Sequence, residues 1–416
     1  MKTSVLVLLV LLLTSLSAGA SPLDDEAVYQ ARFQQLFASF RAGLGLETYE
    51  PLESVPGARE HRPLPKASRA SIDSTALQQA RDYAAANRSS AFLVWRDGVI
   101  EEASYFGDTK EESLLTSRSL AKPMTAIAVG RAIALGHIRS LDQPVADFVT
   151  EWRGDERRRL ILVRHLLDMR SGFLPQSASS DPAHILNRAY LHPRHDEIII
   201  REYPVVDVPG SRYEYNNASS EMVAVLIERA TGRRYAEFLS QEVLQPIGAP
   251  GGNVWINRPG GVAHAGCCLM LPAEAWLRLG ILLAADGVWQ GERLLPAGYV
   301  TEMRRGTREN PYYGLGVYVA GEYTPRRGFA NPEREPDARK VLHSEPYLAT
   351  DLFLFDGNAN QVVYIIPSER LVILRMGDNP PRGEGREWDN TVLPNTLLRG
   401  ILRARAAAAP QGPDSR

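Results

Sequence analysis

A serine and a lysine stand three residues apart in an apolar stretch of the chain. Ser119 and Lys122 open the run 119–130, which is apolar on all sides and predicts a buried helix. Residues at this spacing share a helix face, so the hydroxyl and the amine can come within hydrogen-bonding distance. Because burial favours a neutral amine, Lys122 is predicted to be the general base that activates Ser119 as a nucleophile. Pro123 is tolerated only in a first turn, so the helix should begin no earlier than about Ser119, which places the hydroxyl where an oxyanion is favoured.

A second polar group precedes a later helix. Tyr215 and Asn217 lie just before a helix predicted to begin near Ala218. Taken singly, Asn217 is most simply a helix N-cap, with Glu221 supporting the first turn, and Tyr215 is an aromatic residue of the core or the surface. Joined to a Ser-x-x-Lys pair, Tyr215 can pass a proton between nucleophile and leaving group. Asn217 can then bind the substrate carbonyl or orient the lysine.

Composition narrows the class of protein. The formal net charge of −2 gives no indication of a nucleic acid or a membrane surface as partner, and nothing indicates an oligomeric state. Residues 1–20 read as a secretory signal cleaved before Ser21, which predicts a secreted or periplasmic protein without stable membrane insertion after cleavage. An uncleaved anchor is the alternative, although the apolar core from Val5 to Leu13 is too short to span a bilayer.

The cysteines and histidines do not predict a metal site. Cys267 and Cys268 are the only cysteines, too few for a disulfide framework. Adjacent cysteines can form a vicinal bridge but more often act as small buried apolar residues, which is the prediction here. The histidine cluster at 192–197 lacks the spacing of a zinc site, and Pro193 predicts a solvated loop. No metal and no cofactor are predicted.

The order of the predicted elements indicates an α/β plus all-α fold. Residues 91–106 predict a hairpin around an Asp-Gly turn, strands return after residue 312, and helical patterns dominate between them. This order predicts an antiparallel sheet flanked by helices and built from both ends of the chain, with an inserted helical domain. The predicted divisions are an arm at 21–70, a main domain at 71–402 with its sheet from about 88–115 and 305–402 and its helical part at about 116–304, and a flexible tail at 403–416.

These motifs resemble those of the serine β-lactamase and penicillin-binding-protein superfamily. Ser119-x-x-Lys122 resembles its first motif and Tyr215-x-Asn217 its second. The likeness is greatest to the class C β-lactamase-like branch, which includes esterases and 6-aminohexanoate-oligomer hydrolases, and it runs from about residue 91 to 377. It implies a β-lactamase/transpeptidase-like fold and a serine hydrolase that forms an acyl-enzyme.

The third motif departs from the family pattern. A strand beside the site usually carries Lys-Thr-Gly or His-x-Gly, and the best candidate here is Phe355-Asp356-Gly357, followed by Asn358. Gly357 keeps the property that lets a strand approach a substrate closely. The missing cation argues against classical β-lactam and D-alanyl-D-alanine substrates, unless an arginine elsewhere replaces it. An ordinary turn between strands is the alternative for 355–357.

The sequence therefore predicts an exported serine hydrolase that cleaves a small-molecule ester or amide. Ser119 attacks the carbonyl, Lys122 takes its proton and Tyr215 relays the proton to the leaving group. The resemblance implies that the backbone amides of Ser119 and Asn358 hold the oxyanion. The predicted substrate-binding residues are Asn217, Asp356 and Gly357. The alternatives are a β-lactamase or D,D-peptidase acting on β-lactams or peptidoglycan, and a catalytically weak envelope binding protein on the same scaffold.

Overall fold

The computed structural model describes residues 22–41, 49–177, 179–328, 331, 340–381, 383 and 387–408. The predicted signal at 1–20 and residues 409–416 of the predicted tail lie outside the described residues. The last helix continues through residue 403 to Ala408, so the chain is still helical where the tail was predicted to begin.

The helices and strands follow the predicted order. The helices are α1 (Pro22–Arg41), α2 (Ser74–Ala86), α3 (Ala121–Ala134), α4 (Val163–Leu167), α5 (Ile185–Leu191), α6 (His195–Arg201), α7 (Asn217–Thr231), α8 (Tyr235–Leu239), α9 (Ala273–Ala284), α10 (Tyr299–Met303) and α11 (Val392–Ala408). The strands are β1 (Leu52–Val55), β2 (Ser89–Arg96), β3 (Val99–Tyr105), β4 (Leu115–Thr116), β5 (Gly252–Trp255), β6 (Leu269–Leu271), β7 (Val288–Trp289), β8 (Glu292–Arg293), β9 (Tyr318–Val319), β10 (Arg326–Arg327), β11 (Val341–Leu342), β12 (Phe353–Gly357), β13 (Gln361–Ile366) and β14 (Leu371–Gly377).

The main sheet has six strands in the order β3-β2-β14-β13-β12-β9, and every neighbouring pair is antiparallel. The β2–β3 hairpin turns at Asp97 and Gly98, both with positive φ, as the Asp-Gly pair predicts. The other four strands come from residues 318–377. The predicted antiparallel sheet, built from both ends of the chain around a helical insertion, is confirmed.

Helices cover both faces of this sheet. Alternate residues of β13 face opposite sides: Val363 and Ile365 pack against the helical part, whereas Val362 and Tyr364 pack towards α2 and α11. Helix α9 lies directly on the sheet at Gly280, where a Cβ atom would come within 2.6 Å of the side chain of Val372. The sheet is therefore buried on both sides, which fixes its strands beside the helical part.

A smaller sheet ties the N-terminal arm to the helical part. Its strands run in the order β1-β5-β6-β4, and β1 belongs to the arm. Arg32 of α1 fastens the arm further by donating to the carbonyls of Leu191, Glu50 and Asn257. The sequence did not predict this sheet because its strands are two to four residues long.

Two local expectations are wrong. The segment 192–197 is not a solvated loop: His192 and His195 are buried, and α6 begins at His195, because Pro193 lies between two helices rather than in solvent. Cys267 and Cys268 are buried as expected, but they are joined by a disulfide, which was the less favoured alternative. Among the helices that the structure describes, none has the length and apolar character of a membrane span.

Candidate active site

Ser119 lies in a tight turn that leads into α3. A 3-10 turn spans Arg118–Leu120 and the α-helix begins at Ala121, so helical structure starts one residue before Ser119. Arg118 has a φ of 51°, in the left-handed region that ordinary residues seldom occupy. Ser117 exchanges hydrogen bonds with Leu269 of β6: its amide donates to the carbonyl at 3.0 Å and its Oγ accepts from the amide at 3.2 Å. Ser119 is thus held between α3 and the smaller sheet.

The lysine amine is buried and has three oxygen neighbours. Lys122 is 2% exposed. Its Nζ lies 3.1 Å from Ser119 Oγ, 2.9 Å from Asn217 Oδ1 and 2.9 Å from the carbonyl oxygen of Gly266. Because the amide oxygen and the carbonyl can only accept, the amine donates an N–H group to each of them, and its remaining position faces Ser119 Oγ.

Tyr215 makes a further contact with Ser119. The hydroxyl of Tyr215 donates to Ser119 Oγ at 2.9 Å, and its ring lies 4.9 Å from Lys122 Nζ. Gln176, which the sequence did not single out, stabilises this segment. Its backbone amide donates to the Tyr215 carbonyl at 2.9 Å, and its side-chain Oε1 accepts from the backbone amide of Asn217 at 3.3 Å. Ser119, Lys122 and Tyr215 are therefore brought together as predicted, although their roles remain predictions.

Asn217 is not the cap of its helix. The side chain of Asn216 accepts from the amide of Ser219 at 2.8 Å and caps α7, which leaves Asn217 as the first helical residue. The expected N-cap is thus one residue out of register. This shift matters for the site because the side chain of Asn217 is then available to accept from Lys122.

Gly357 brings the end of β12 against the turn that carries Ser119. A Cβ atom on Gly357 would lie 2.8 Å from the amide nitrogen of Leu120, 3.1 Å from the Ser117 carbonyl oxygen and 3.3 Å from the Ser119 amide nitrogen. Only glycine permits this approach without displacement of the backbone. Asn358 follows it, is exposed and begins a 3-10 turn, so 355–357 is the end of a strand rather than an ordinary turn between strands.

The side chain of Asp356 faces away from the Ser119 turn. Along β12, Phe355 packs against the helical part, whereas Leu354 packs on the opposite side of the sheet. Asp356 lies two residues after Leu354 and therefore faces the same side of the sheet. There it lines a cavity of about 90 Å³, together with Arg327 and Asn390. Asn390 Nδ2 lies 3.4 Å from the carboxylate, and burial raises the pKa of Asp356 to about 7. The structure thus separates Asp356 from the predicted substrate-binding pair of Asn217 and Gly357.

Two parts of the site were invisible in the sequence. The Gly266 partner of Lys122 is a backbone carbonyl, which any residue could supply, so no side-chain pattern marks it. Glu221, expected to support the first turn of α7, is instead 1% exposed and lies beside His195 and His264. Burial raises the pKa of Glu221 to about 8, and the charge of Lys122 opposes that rise.

Comparison with known proteins places the chain in a family. Residues 76–393 match the sequence profile of the Beta-lactamase family. Esterase EstB of Burkholderia gladioli is 31% identical over 157 residues, which cover 33% of this chain and 38% of the esterase. The 6-aminohexanoate-dimer hydrolase of Paenarthrobacter ureafaciens is 25% identical over 250 residues, which cover 57% of this chain and 63% of the hydrolase. The chain thus spans less than two thirds of the length of either relative.

Solved structures agree on the fold. A Bacillus anthracis protein provisionally named a 6-aminohexanoate-dimer hydrolase superposes with a TM-score of 0.67 at 18% identity, covering 86% of this chain and 92% of that one. At this identity the likeness concerns the fold alone, which is the predicted β-lactamase/transpeptidase-like fold. Since the profile match spans most of the sequence and the solved structure shares the architecture, the chain belongs to the beta-lactamase family.

Proposed function

We propose that the protein is a serine hydrolase that cleaves a small-molecule ester or amide through an acyl-enzyme on Ser119. One observation carries this proposal: Ser119 Oγ lies within hydrogen-bonding distance of both Lys122 Nζ, at 3.1 Å, and the Tyr215 hydroxyl, at 2.9 Å. A hydroxyl held between a buried amine and a phenol has a base on one side and a proton donor on the other. The names of the esterase and hydrolase relatives support the same class of reaction.

The mechanism assigns one proton and one bond to each step. Lys122 takes the hydroxyl proton as Ser119 Oγ bonds to the substrate carbonyl carbon, and the carbonyl oxygen becomes an oxyanion. The backbone amides of Ser119 and Asn358 are proposed to hold this oxyanion, a kind of contact worth ~3 kcal/mol in related chemistry. Tyr215 then protonates the leaving group as its bond breaks and recovers a proton from Lys122. Water attacks the acyl-enzyme by the reverse proton path and frees Ser119.

Asn217 contributes by orienting the base. Its Oδ1 and the Gly266 carbonyl hold the two N–H groups of a neutral Lys122, so the lone pair can only point at Ser119. Preorganised geometry of this kind lowers the barrier because no reorganisation is needed at the moment of reaction.

The test compares the protein with its Ser119→Ala variant. The unmodified protein should hydrolyse p-nitrophenyl butyrate and react with a fluorophosphonate probe at the peptide containing Ser119, and the variant should do neither while keeping its unfolding temperature. Near-normal turnover by Ser119→Ala would refute the nucleophile assignment. A labelled penicillin run in parallel tests the β-lactamase alternative, which fast acylation and hydrolysis of penicillin would support. Export through residues 1–20 remains a prediction, tested by whether the mature protein begins at Ser21.

A further inference from the structure

Behind Lys122 lies a buried group of ionisable side chains that the proposed mechanism does not use. Glu221 stands one turn along α7 from Asn217 and is 1% exposed, and His195 and His264 beside it are fully buried. The carboxylate and imidazole atoms of these three residues have no hydrogen-bond partner of good geometry within the described chain. Unpartnered polar atoms in a protein interior are costly, so their presence calls for a role.

The donor set suggests a metal, but the geometry of the rings argues against one. The candidate ligand atoms lie within 4.8 Å of one another, with Glu221 Oε2 3.8 Å from His195 Nε2 and 3.7 Å from His264 Nδ1. The two imidazoles are stacked, however, with centroids 4.1 Å apart and planes 15° from parallel. A metal lies about 2 Å from a histidine nitrogen and near the plane of its ring. Two parallel rings at this separation share no such position.

The ring of His264 cannot easily turn to create a shared metal-binding position. His264 is also stacked on Trp255, with centroids 3.7 Å apart and planes 12° from parallel. The rings of His195, His264 and Trp255 thus form one stack with Glu221 at its edge. Such a stack suits neutral packed side chains rather than a metal centre.

Most of the ionisable side chains around Glu221 are neutral near pH 7. Burial lowers the pKa of His195 to about 4 and that of His264 well below its usual range, so both are neutral near pH 7. The neighbouring phenols of Tyr190 and Tyr235 are also neutral, because burial raises their pKa values further above their usual range. Among the described residues, the cation whose charge acts on Glu221 is Lys122.

Gly266 joins the two residues. Its carbonyl oxygen accepts from Lys122 Nζ at 2.9 Å, and a Cβ atom on Gly266 would lie 3.0 Å from Glu221 Oε1. The amides of Ala265 and Gly266 face the carboxylate and favour its charged form, whereas burial opposes it. The base and the carboxylate thus lie on either side of one backbone residue in a water-poor interior, where charges act strongly on each other.

We propose that Glu221 is a positioning residue that acts through its charge: ionised, it stabilises the ammonium formed when Lys122 takes the Ser119 proton, and so sets the pH range in which Lys122 is a free base. This inference rests on the proposed function of Ser119 and Lys122. A nearby opposite charge typically moves such an equilibrium by one to three pH units. Because burial raises the pKa of Glu221 to about 8, the carboxylate acts in this way at and above about pH 8, where it is ionised. There it makes the free amine a stronger base but requires a higher pH to free it.

The test is the pH dependence of kcat/KM for p-nitrophenyl butyrate, followed at the isosbestic wavelength of the product. In Glu221→Gln the rising limb should move to lower pH by about one unit or more, and the plateau should fall about tenfold because the amine is a weaker base. The matched control is Glu228→Gln on the same helix, since Glu228 pairs with Arg234 at 3.1 Å. Its rising limb should stay in place.

The outcomes separate this inference from the proposed function. If Glu221→Gln lowers activity by the same factor at every pH, or leaves the profile unmoved while the probe still labels Ser119, the charge role is refuted and the hydrolase assignment stands. If the fluorophosphonate probe does not label Ser119 in the unmodified protein, both the hydrolase assignment and the role of Glu221 are refuted. If Glu221→Gln does not fold, Glu221→Asp, which withdraws the carboxylate by one methylene group, should give a smaller shift in the same direction, and no shift would overturn the proposal. A stoichiometric metal in the purified protein, measured by plasma mass spectrometry, would also overturn it.

Discussion

Replacing Gly357 by alanine tests the contact between the main sheet and the turn that carries Ser119. The backbone of Gly357 has a φ of −136°, which alanine adopts freely, so the effect of the substitution is steric. The added Cβ atom would meet the Leu120 amide nitrogen at 2.8 Å, about 0.6 Å closer than the 3.4 Å at which ordinary contact begins. The atoms in the way belong to the backbone, so no side-chain rotation can relieve the clash. The strand end and the turn must therefore move apart.

The size of the effect follows from that displacement. Overpacking of this kind typically costs ~1–3 kcal/mol of stability, which lowers the unfolding temperature by several degrees. Active-site groups must hold their places to within ~0.5 Å, and a misplacement of ~1 Å can cost a hundredfold in rate. Gly357→Ala should therefore lower kcat/KM for p-nitrophenyl butyrate about 10- to 100-fold at every pH. A displaced oxyanion site weakens acylation whatever the protonation state of Lys122.

Two other glycines serve as controls. Gly154 has open space around its missing Cβ atom and an ordinary φ, so Gly154→Ala should leave both stability and rate unchanged. Gly400 of α11 packs against Ala76 of α2 on the far side of the sheet, so Gly400→Ala should lower the unfolding temperature without changing kcat/KM at a temperature where the variant is folded. Unfolding temperatures would be measured by calorimetry and rates by ester hydrolysis. Wild-type kinetics in Gly357→Ala would refute the reasoning, because the turn would then tolerate separation from the strand.

Two further predictions concern charge. Lys122→Arg should be nearly inactive in ester hydrolysis while remaining folded, because a guanidinium does not deprotonate. The control Lys66→Arg, at an exposed site, should be fully active. An active Lys122→Arg enzyme would rule out the general-base role. Burial raises the folded-state pKa of Asp356 from 3.8 to about 7. Between those two pH values the native state therefore binds more protons than the unfolded state. The contribution of this carboxyl group to stability is thus present below about pH 4 and is lost as the pH rises through 7. Asp356→Asn, which keeps the neutral form, should thus gain stability relative to the unmodified protein as pH rises from 4 to 8, on the order of 2–4 kcal/mol, and a difference in unfolding temperature that does not change with pH would contradict this.

Local spacing predicted much of the fold and the centre of the site. The β2–β3 hairpin follows from an Asp-Gly pair between two alternating runs, and α7 ends just before Gly232, whose φ of 70° only glycine adopts readily. The pairing of Ser119 with Lys122 likewise depends on residues three apart in one element. Such features are set by neighbours along the chain, so a single sequence contains them.

Register and long-range contact account for what the sequence did not predict. Asn216 and Asn217 are chemically identical candidates for one cap, and only the packed position of α7 decides that the first caps the helix while the second reaches Lys122. The face on which Asp356 lies depends in the same way on the register of β12. The Gly266 carbonyl and the buried position of Glu221 arise from segments far apart in the chain, and no side-chain pattern indicates either.

In the proposed mechanism, the two halves of the site act on different parts of one reaction. The helical part supplies Ser119, the proton-handling groups and Glu221 behind them, whereas the main sheet supplies only the close approach of Gly357 to the turn. A perturbation from the sheet side displaces backbone amides and should reduce the rate equally at all pH values. A perturbation from the Glu221 side leaves those amides in place and changes the proton affinity of Lys122, so it should move the pH profile. The shape of the profile, rather than the size of the loss, therefore tells which half of the site a substitution has reached.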